Sequence, residues 1–595
     1  MVDRWLAKSR EHAIWYLVGI AAVVLVAHSL AYNFVTDDAY ISFVYSRNFA
    51  EHGELAFNLG DPVEGYTNFS WTVLIGALMK LGISPELSSR VLGTGCAIGT
   101  VFLVARMMRR ALGRSSLWCA VPALLLAGSS GFACWTSGGL ETQLFTLLVT
   151  AALEAVVAAT ADPRAIRRAG WLLALAAMTR PEGPLIAGIF GAVHVAGVVR
   201  QGLTARRPLA FTNELIAAAW FLGLWAPWFA WRYWYYGHLF PNTYYVKASG
   251  EWSNPKMAQE MIDHGFYYIW VWLKQSRLLY VLPFAGIGIV MAIVRARPAR
   301  FVLGLGCALV AAFYVPYAIN VGGDFMGLHR FIMPMFVVAA IAVVLGLEWL
   351  IGCLPERMTA PAWIALAALG IGFVANALDV IGLRGELWLG LGAALAIAAA
   401  FWLVDARAPR TLAIAAALAL LSVFANTQLE LTRRSLDPKN LMADRGIIDT
   451  PAFLIAFTED RAKIGHAMES CFREDDFSIV GGAGAQPYYA RMRGIDVFGL
   501  VSDRIAHGEK RSRSRAGHTK WGTDPVLASY DPNFVFSCYE LRSTAAQPQL
   551  GCFSFWRDRG FEEVTMRIPG LVERGEYYTF LAKKARNFQC PGRVH

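Results

Sequence analysis

The 595-residue sequence is 56% hydrophobic and only 16% charged, whereas soluble domains average about 25% charged residues. This composition excludes an ordinary soluble protein and predicts an integral membrane protein with one soluble domain attached. The net charge of +10 would suit a nucleic-acid-binding protein, but the positions of the basic residues give it a different explanation.

Apolar segments of near-spanning length recur along most of the chain. The first has no small-residue cleavage site before "YNFVTDD", so we predict that it is retained rather than removed as a signal peptide. Residues 69–82 are short and contain Lys80, which indicates an interfacial or re-entrant helix. The spanning segments predict about thirteen transmembrane helices, at 13–33, 88–106, 116–132, 140–160, 167–180, 183–199, 211–232, 278–294, 300–319, 331–353, 360–380, 387–404 and 411–427.

Basic loops define the predicted orientation. Arg4, Lys8 and Arg10 precede the first helix, so the N-terminus should be cytoplasmic. If residues 69–82 do not span, all inner loops are short and rich in Arg, at 106–114, 162–168, 200–208, 295–300, 355–358 and 405–410. Counting 69–82 as a span would place the first three of these loops outside. Membrane topology therefore explains the positive charge, and we predict no nucleic-acid partner.

The predicted outer loops are longer, aromatic and polar, at 33–68, 135–141, 179–183, 233–277 and 320–330. Residues after about 428 also fall outside. We predict a polytopic α-helical membrane domain over 1–427, in which 33–87 form a first outer loop with juxtamembrane helices. The tail, 428–595, is long enough for its own core. Its strand-like segments "FSIVGG" and "NFVFSCY" predict an α/β domain.

The cysteines of the tail show no metal-binding spacing. They are Cys471, Cys538, Cys552 and Cys590. If the tail is extracytoplasmic, they predict two disulfides, whose pairing stays open.

Two adjacent carboxylates, Asp37 and Asp38, follow the first predicted helix. Near a bilayer a carboxylate is costly to desolvate and can have a raised pKa, which suits a general base. The alternative is a plain helix end with two solvated acids.

Further polar groups on the same predicted face favour a site. His329 and Arg330 begin an apolar helix, where cations are unfavourable unless an anion is also present. The candidates for holding a phosphate are Arg47, Arg180, Lys247, His329 and Arg330. The candidates for holding a sugar or an acceptor are Tyr40, Glu64, Tyr66, Asn68, Glu182, Asn242, Tyr245 and Asp324. The alternatives are a helix hairpin at "RPEG" and an aromatic belt for the tyrosines.

Sugar transfer from a lipid-linked phosphate needs these groups. A base accepts a hydroxyl proton, cations balance the leaving phosphate, and aromatic and amide side chains hold the sugar. Nucleotide sugars are not normally available outside the cytoplasm, so the donor must be carried by a membrane lipid. The sequence contains no P-loop, Rossmann fingerprint, GxSxG or HExxH motif that would indicate a competing chemistry.

Several motifs follow one another in a specific order, "DDAYISFVYSRNFAEHGELAFN", "VEGYTNFSW", "SGGLETQLF", "TRPEG", "FPNTYYVK", "GGDFMGLHRFIMP", "GGAGAQPYYARMRGIDVFGLVSDRIAHG" and "RAGHTKW". In this order they resemble the GT-C polyprenyl-phosphate-dependent glycosyltransferases. They are most similar to a branch that includes the mycobacterial terminal β-(1→2) arabinofuranosyltransferase and the pilin arabinofuranosyltransferases. The chain departs from that branch at "GDFMGLHRF", which leaves the role of His329 open.

The resemblance implies a decaprenyl- or undecaprenyl-phosphoryl arabinofuranose donor and a hydroxyl acceptor on a cell-wall glycan or a surface protein. It implies Asp37 as the base, with Asp38 as its neighbour or as the base itself. It also implies a multi-pass protein of the bacterial inner membrane, with the site and the tail on the cell-envelope side. No metal ligands are predicted, although Asp37, Asp38 and a phosphate could share a divalent cation such as Mg²⁺, Mn²⁺ or Ca²⁺.

Two other classes of function stay open. A transporter or flippase for a lipid-linked sugar should place ionisable residues near the middle of the membrane, whereas these clusters lie at loop ends on one face. A non-catalytic receptor would bind a glycan through its tail. Residues 517–520, "GHTK", are a candidate acceptor contact, with a solvated loop as the alternative.

Overall fold

The computed structural model describes residues 2–114, 116–205, 211–294, 297–353, 423–439, 441, 446–545 and 550–594. Several predicted segments lie outside the described residues, namely 360–380, 387–404, the inner loops 355–358 and 405–410, and all but the last residues of 411–427.

The described chain before residue 354 is mainly helical. Its helices are α1 (Val2–Tyr32), α2 (Asp37–His52), α3 (Phe69–Lys80), α4 (Pro85–Leu112), α5 (Val121–Gly128), α6 (Ser130–Cys134), α7 (Thr142–Ala158), α8 (Ile166–Thr179), α9 (Gly183–Ala205), α10 (Thr212–Tyr236), α11 (Asn242–Lys247), α12 (Pro255–Gln275), α13 (Leu278–Val294), α14 (Pro298–Asn320) and α15 (Met333–Cys353).

Five described helical stretches are long and apolar enough to cross a membrane. They are Glu11–Tyr32, Pro85–Leu112, Gly183–Leu203, Pro298–Asn320 and Gly327–Cys353. Shorter apolar helices accompany them, at Phe69–Lys80, Leu117–Gly128, Thr142–Ala158 and Val281–Val294. The chain is therefore a multi-pass membrane protein, while the count of about thirteen spans stays a prediction.

Two helices bear on the predicted outer loops. The 12 residues of α3 cover about 18 Å, which is less than the roughly 30 Å thickness of a bilayer core. This length agrees with the prediction that residues 69–82 do not span the membrane. The helix α12 occupies a region for which the sequence predicted only an outer loop. It is amphipathic, with Phe266 and Trp270 exposed on one side and Tyr268 and Trp272 buried on the other.

Charged side chains of the helices pair at the ends that carry the basic loops. Glu154, near the end of α7, is buried and contacts Arg106 at 3.1 Å, Arg110 at 3.0 Å and Arg168 at 3.6 Å. These ion pairs satisfy the buried carboxylate. The opposite ends of α7 and α8 carry Glu141 and Arg180, so the two charged layers lie at opposite ends of the same helices.

The C-terminal part contains a mixed sheet with short helices. The helices are α16 (423–435), α17 (Pro451–Met468), α18 (Ala485–Ala490), α19 (Asp503–Gly508), α20 (Asp524–Ala528) and α21 (Phe553–Arg557). The strands are β1 (Ser478–Val480), β2 (Gly494–Asp496), β3 (Phe534–Arg542), β4 (Phe561–Arg567), β5 (Tyr577–Lys583) and β6 (Arg593–Val594).

The strand order is β2-β1-β3-β5-β4-β6, with β1 parallel to β2 and β3 and the other pairs antiparallel. Side chains alternate along β3, so Phe534 and Phe536 pack on one face and Val535 on the other. The predicted α/β character and both predicted strands are confirmed. Since α16 runs across residue 428, the domain boundary there stays a prediction.

Two disulfides stabilise this part, as predicted. Cys471 pairs with Cys590 and Cys538 with Cys552, at Cα–Cα distances of 5.3 and 6.2 Å. The first closes a loop of 119 residues and therefore restricts the unfolded chain strongly.

Close packing of α13 against α15 generates a test of the fold. A Cβ atom on Gly288 would overlap the backbone of Ala342 and Gly346, whereas one on Gly286 would meet nothing within 4 Å. We expect Gly288→Ala to lower the free energy of unfolding by about 1–3 kcal/mol through overpacking. Gly286→Ala, the matched control, should not destabilise the protein. Thermal unfolding followed by tryptophan fluorescence in detergent checks this, and equal melting temperatures for the two variants would contradict the packing.

Candidate active site

Charged side chains from five separate segments meet at the helix ends opposite the basic loops, where the helices adjoin the tail. We call this group the central cluster; its members are Asp38, Glu141, Arg180, Lys247, Asp324 and Arg330. Asp38 lies in the first turn of α2, and Lys247 is the last residue of α11. Electrostatic interactions connect Asp38 with Arg330, Lys247, Asp324 and Glu141.

The two arginines of the central cluster are fixed by carboxylates. Arg330 Nε lies 3.1 Å from Asp324 Oδ2. Arg180 Nη2 lies 2.9 Å from Glu182 Oε1, and Arg180 Nη1 lies 3.8 Å from Glu141 Oε1. All these side chains are buried, where an unpaired charge would be costly. The pairs therefore hold both guanidinium groups in place.

Glu141 also connects the central cluster to the segment that follows α2. Asn68 Nδ2 donates to Glu141 Oε2 at 3.0 Å. The amide oxygen of Asn68 accepts from Ser42 Oγ at 3.1 Å and from Thr72 Oγ1 at 3.0 Å. Asn68 thus orients the carboxylate and ties α2 and α3 to it, so its surroundings already use most of its hydrogen-bonding capacity.

Asp38 and Lys247 differ from the rest of the central cluster. Within the described residues, neither side chain has a hydrogen-bond or ion-pair partner, and both are partly exposed. Burial raises the pKa of Asp38, while Arg330 and Lys247 oppose that shift and Asp324 and Glu141 add to it. One carboxylate and one ammonium group are therefore available to an external molecule.

Asp37, the neighbouring carboxylate, faces the tail. Its Oδ1 accepts from the backbone N–H of Ala485 at 2.8 Å. Gly484 packs so tightly against the Asp37 carboxylate that a Cβ atom there would overlap it. Burial raises the pKa of Asp37 to about 6, and the hydrogen bond from Ala485 limits that shift. The interaction fastens α2 to the glycine-rich loop that follows β1.

The loop before α15 has a strained backbone. Leu328 and His329 have φ of +57° and +63°, a region that costs non-glycine residues roughly 1–2 kcal/mol each. Trp135 Nε1 donates to the carbonyl of Gly327 at 3.1 Å and helps to hold this conformation. Strain of this kind often accompanies functional sites, and here it sets the direction of Arg330.

His329 does not join Arg330 in the central cluster. Its ring packs against Tyr268, with centroids 4.8 Å apart, and its Nε2 is buried without a hydrogen-bond partner in the described structure. The two neighbours that the sequence suggested as one phosphate-binding pair therefore point to different surroundings.

Arg47 and Tyr40, also predicted as site residues, contact the tail. Arg47 Nη1 donates to the carbonyl of Tyr488 at 2.6 Å, and its guanidinium lies 5.0 Å from the centroid of that ring. The hydroxyls of Tyr40 and Tyr489 lie 3.1 Å apart. These contacts add to the attachment of α2 to the tail around Asp37, and they do not belong to the central cluster.

Glu64 and Tyr66 form a separate buried group with α10. Arg232 donates to both oxygens of Glu64, from Nε at 2.8 Å and from Nη2 at 2.5 Å. The hydroxyls of Tyr66 and Tyr236 lie 3.0 Å apart. These partners satisfy the side chains internally, so a structural role accounts for both.

Asn242 and Tyr245 lie on α11 beside this group. The backbone N–H of Asn242 donates to the carbonyl of Glu64 at 3.0 Å, and its buried Nδ2 has no partner in the described structure. The ring of Tyr245 lies 4.1 Å from that of His507 in the tail.

Sequence reasoning did not single out Glu141 or Asp449. Glu141 lies in "SGGLETQLF", a motif that carried the resemblance, so a signal for it was present. Asp449 had no such signal. Its backbone pairs with the loop at 325–327, its N–H donating to Phe325 at 2.7 Å and its carbonyl accepting from Gly327 at 2.9 Å. Arg515 contacts its carboxylate at 2.7 Å.

The "GHTK" segment holds α11 in place. Thr519 Oγ1 donates to the carbonyl of Val246, and Arg511 Nη2 donates to the carbonyl of Lys247 at 2.9 Å. Thr519 and Lys520 are buried, so the alternative of a solvated loop is wrong. The tail therefore supports the backbone that presents Lys247.

No protein-family model matches the sequence, and no curated protein does. Among solved structures, the chain is similar to ArnT from Cupriavidus metallidurans bound to undecaprenyl phosphate, with 16% identity and a TM-score of 0.48 over 82% of this chain and 86% of that one. It is also similar to an Archaeoglobus fulgidus oligosaccharyltransferase, with 12% identity and a TM-score of 0.45 over 81% of this chain and 64% of that one. The arabinosyltransferase EmbB from Mycobacterium smegmatis matches with 13% identity and a TM-score of 0.40, over 71% of this chain and 41% of that one. These neighbours are GT-C glycosyltransferases.

The raised pKa of Asp37 leads to a pH-dependent stability difference. Its folded-state pKa of about 6 exceeds the ordinary value of 3.8, so ionisation costs folding stability as the pH rises from about 4 to about 6. Asp37→Asn keeps an oxygen acceptor for Ala485 and cannot ionise. We expect the melting temperature of Asp37→Asn to increase relative to that of the wild type as the pH rises over this range, and the difference to persist at pH 7. Asp558→Asn, at an exposed position, is the control. A difference between Asp37→Asn and wild type that does not change with pH would contradict the assignment.

Proposed function

We propose that this chain is a membrane glycosyltransferase that moves a furanosyl sugar from a polyprenyl-phosphate donor to a hydroxyl group of an extracytoplasmic glycan or protein. The observation that carries the proposal is the central cluster, in which Asp38 and Lys247 alone lack a partner within the described residues. The order of the motifs supports D-arabinofuranose as the sugar. The basic loops at the opposite helix ends support a bacterial inner-membrane protein with its site outside.

The donor phosphate would bind to Lys247 and Arg330. The ammonium group of Lys247 is a compact charge without a competing carboxylate partner, and it can offer three donors to phosphate oxygens. Arg330 keeps its Nε on Asp324, which leaves other guanidinium N–H groups for the phosphate. Both cations would stabilise the negative charge that develops as polyprenyl phosphate leaves.

Asp38 would act as the general base. The acceptor oxygen attacks C1 of the sugar, the bond between C1 and the phosphate oxygen breaks, and the hydroxyl proton passes to the Asp38 carboxylate. Its raised pKa brings proton affinity closer to that needed near neutral pH, while Arg330 and Lys247 favour the ionised form. Asp37, fastened to Ala485, would position Asp38 rather than take the proton. No step requires a metal ion, and the possible divalent cation stays an open proposal.

A flippase for a lipid-linked sugar has weaker support. Transporter sites usually lie near the middle of the membrane between inverted repeats, whereas the central cluster lies at the helix ends opposite the basic loops. Tail residues also bond directly to segments that carry the central cluster; Ala485, for example, donates to Asp37 at the start of α2.

The base assignment predicts different effects for two adjacent residues. We expect Asp38→Asn to reduce transfer by a factor of about 10²–10⁴, the usual contribution of a general base, and Asp37→Asn to keep most of the activity. Purified protein in liposomes, supplied with polyprenyl-phosphoryl arabinofuranose and an arabinan acceptor, is assayed for free polyprenyl phosphate. The reverse pattern would identify Asp37 as the base, and full activity in both variants would exclude the assignment.

Donor binding predicts a specific loss at Lys247. Because hydrogen bonds to charged groups contribute about 1.5–3 kcal/mol, we expect Lys247→Met to lower kcat/KM for the donor by roughly 10–100-fold. Lys247→Arg should restore part of it, and Lys256→Met, at an exposed position on α12, should have no effect. Initial rates at varied donor concentration measure this change, and an unaltered donor dependence in Lys247→Met would refute the role.

A further inference from the structure

Three potential metal ligands from two parts of the chain meet beside α11. His238 lies in the loop between α10 and α11, and Asp503 and His507 lie on α19 in the tail. One ligand atom from each residue lies within 4.8 Å of the other two. These residues have no place in the proposed transfer reaction, so their grouping needs a separate explanation.

Local structure brings the ligands onto facing surfaces. Asp503 and His507 are four residues apart on a helix and therefore share one face. Gly237, with φ of +76°, ends α10, and the carbonyl of His238 accepts from Arg232 Nη1 at 3.4 Å. The helix end and Arg232 thus direct the His238 ring towards α19.

The distances suit a tetrahedral metal ion. His238 Nε2 lies 3.4 Å from Asp503 Oδ2. Two ligands bound at about 2.0–2.2 Å with tetrahedral angles lie about 3.4 Å apart. The rings of His238 and His507 are stacked, with centroids 4.2 Å apart, so His507 reaches the ion after a small rotation. His507 is exposed and has room for that rotation.

Besides these distances, an oxygen of Asp503 without a hydrogen-bond partner among the described residues points to a bound ion. Its Oδ1 is buried and accepts no hydrogen bond in the described structure. A buried carboxylate oxygen without a partner is costly. An ion that binds this carboxylate would compensate that cost.

We propose that His238, Asp503 and His507 bind Zn²⁺, with water as the fourth ligand. Two imidazoles and one carboxylate suit Zn²⁺, whereas Ca²⁺ and Mg²⁺ take sets of oxygen ligands. The proposed ion differs from a divalent cation at Asp37 and Asp38, which has a different position and donor set.

The ion would connect the two parts of the protein next to Lys247. His238 precedes α11, and Tyr245 on that helix packs against His507. The carbonyl of Lys247 already accepts from Arg511 of the tail. Zn²⁺ would add a second link to the tail, just before the start of α11, and would restrict the motion of this helix. Metal binding itself does not depend on the proposed transfer reaction.

The test is Zn²⁺ binding to the full-length protein in detergent, purified without a polyhistidine tag and treated with a chelator. Isothermal titration calorimetry should show one site per chain, and Co²⁺ in its place should give the visible absorption of a tetrahedral complex. Loss of even an outer partner costs about 10–100-fold in metal affinity. We therefore expect His238→Ala, Asp503→Asn and His507→Ala each to weaken Zn²⁺ binding by on the order of 100-fold or more.

The control is His466→Ala, which removes an exposed histidine of the tail outside the cluster and should leave affinity unchanged. Each variant must match the metal-free melting temperature of the wild type, and Zn²⁺ should raise that temperature only in wild type and His466→Ala. Absence of Zn²⁺ binding by the wild type, or full affinity in all three ligand variants, would overturn the proposal. Equal stabilisation by Ca²⁺ or Mg²⁺ would also overturn it. A chain that binds Zn²⁺ without transferring sugar would refute the transferase alone.

Discussion

The bond between Asp37 and the N–H of Ala485 determines how the site is assembled. Successive residues of an α-helix point about 100° apart, so fastening Asp37 to Ala485 points Asp38 in a different direction, towards Arg330 and Lys247. Gly484 allows this approach because it lacks a side chain. Two adjacent acids thus have different roles: one is used in docking, and the other remains available to an external molecule.

The charges of the central cluster are likewise held in position by specific neighbouring groups. Arg180 and Arg330 are held by carboxylates, which prevents either from closing on Asp38. Lys247 stays unpaired among the described residues because its backbone, rather than its side chain, is anchored by Arg511. The strained residues Leu328 and His329 fix the direction of Arg330. The result is a set of positioned charges that need little rearrangement when an anion arrives, which is how preorganised sites stabilise developing charge.

Sequence patterns were sufficient where a feature depends on local composition. Apolar length predicted the five described helices that are long enough to cross a membrane. The arginine count placed residues 69–82 outside the set of spans, in agreement with the 12 residues of α3. The strand-like segment "NFVFSCY" predicted β3. Patterns were not sufficient for α12, whose amphipathic sequence has too many polar residues for a span. They could not separate Asp37 from Asp38, because only the fold brings Ala485 to one of them. The partners of Glu64 and Asp503, namely Arg232 and His238, are also distant in sequence.

The tail and the membrane domain form one site rather than two modules. Three of the five segments that supply a charge are bonded to the tail: the start of α2 through Ala485, α11 through Thr519 and Arg511, and the loop before α15 through Asp449. A shift of the tail relative to the membrane helices would therefore displace Asp38, Lys247 and Arg330 at once. A binding event on the tail that favours one such arrangement would be coupled to donor binding by the same free energy in both directions. If the proposed transfer is correct, this arrangement would give an acceptor bound to the tail a physical route to influence the charges that act on the lipid-linked sugar.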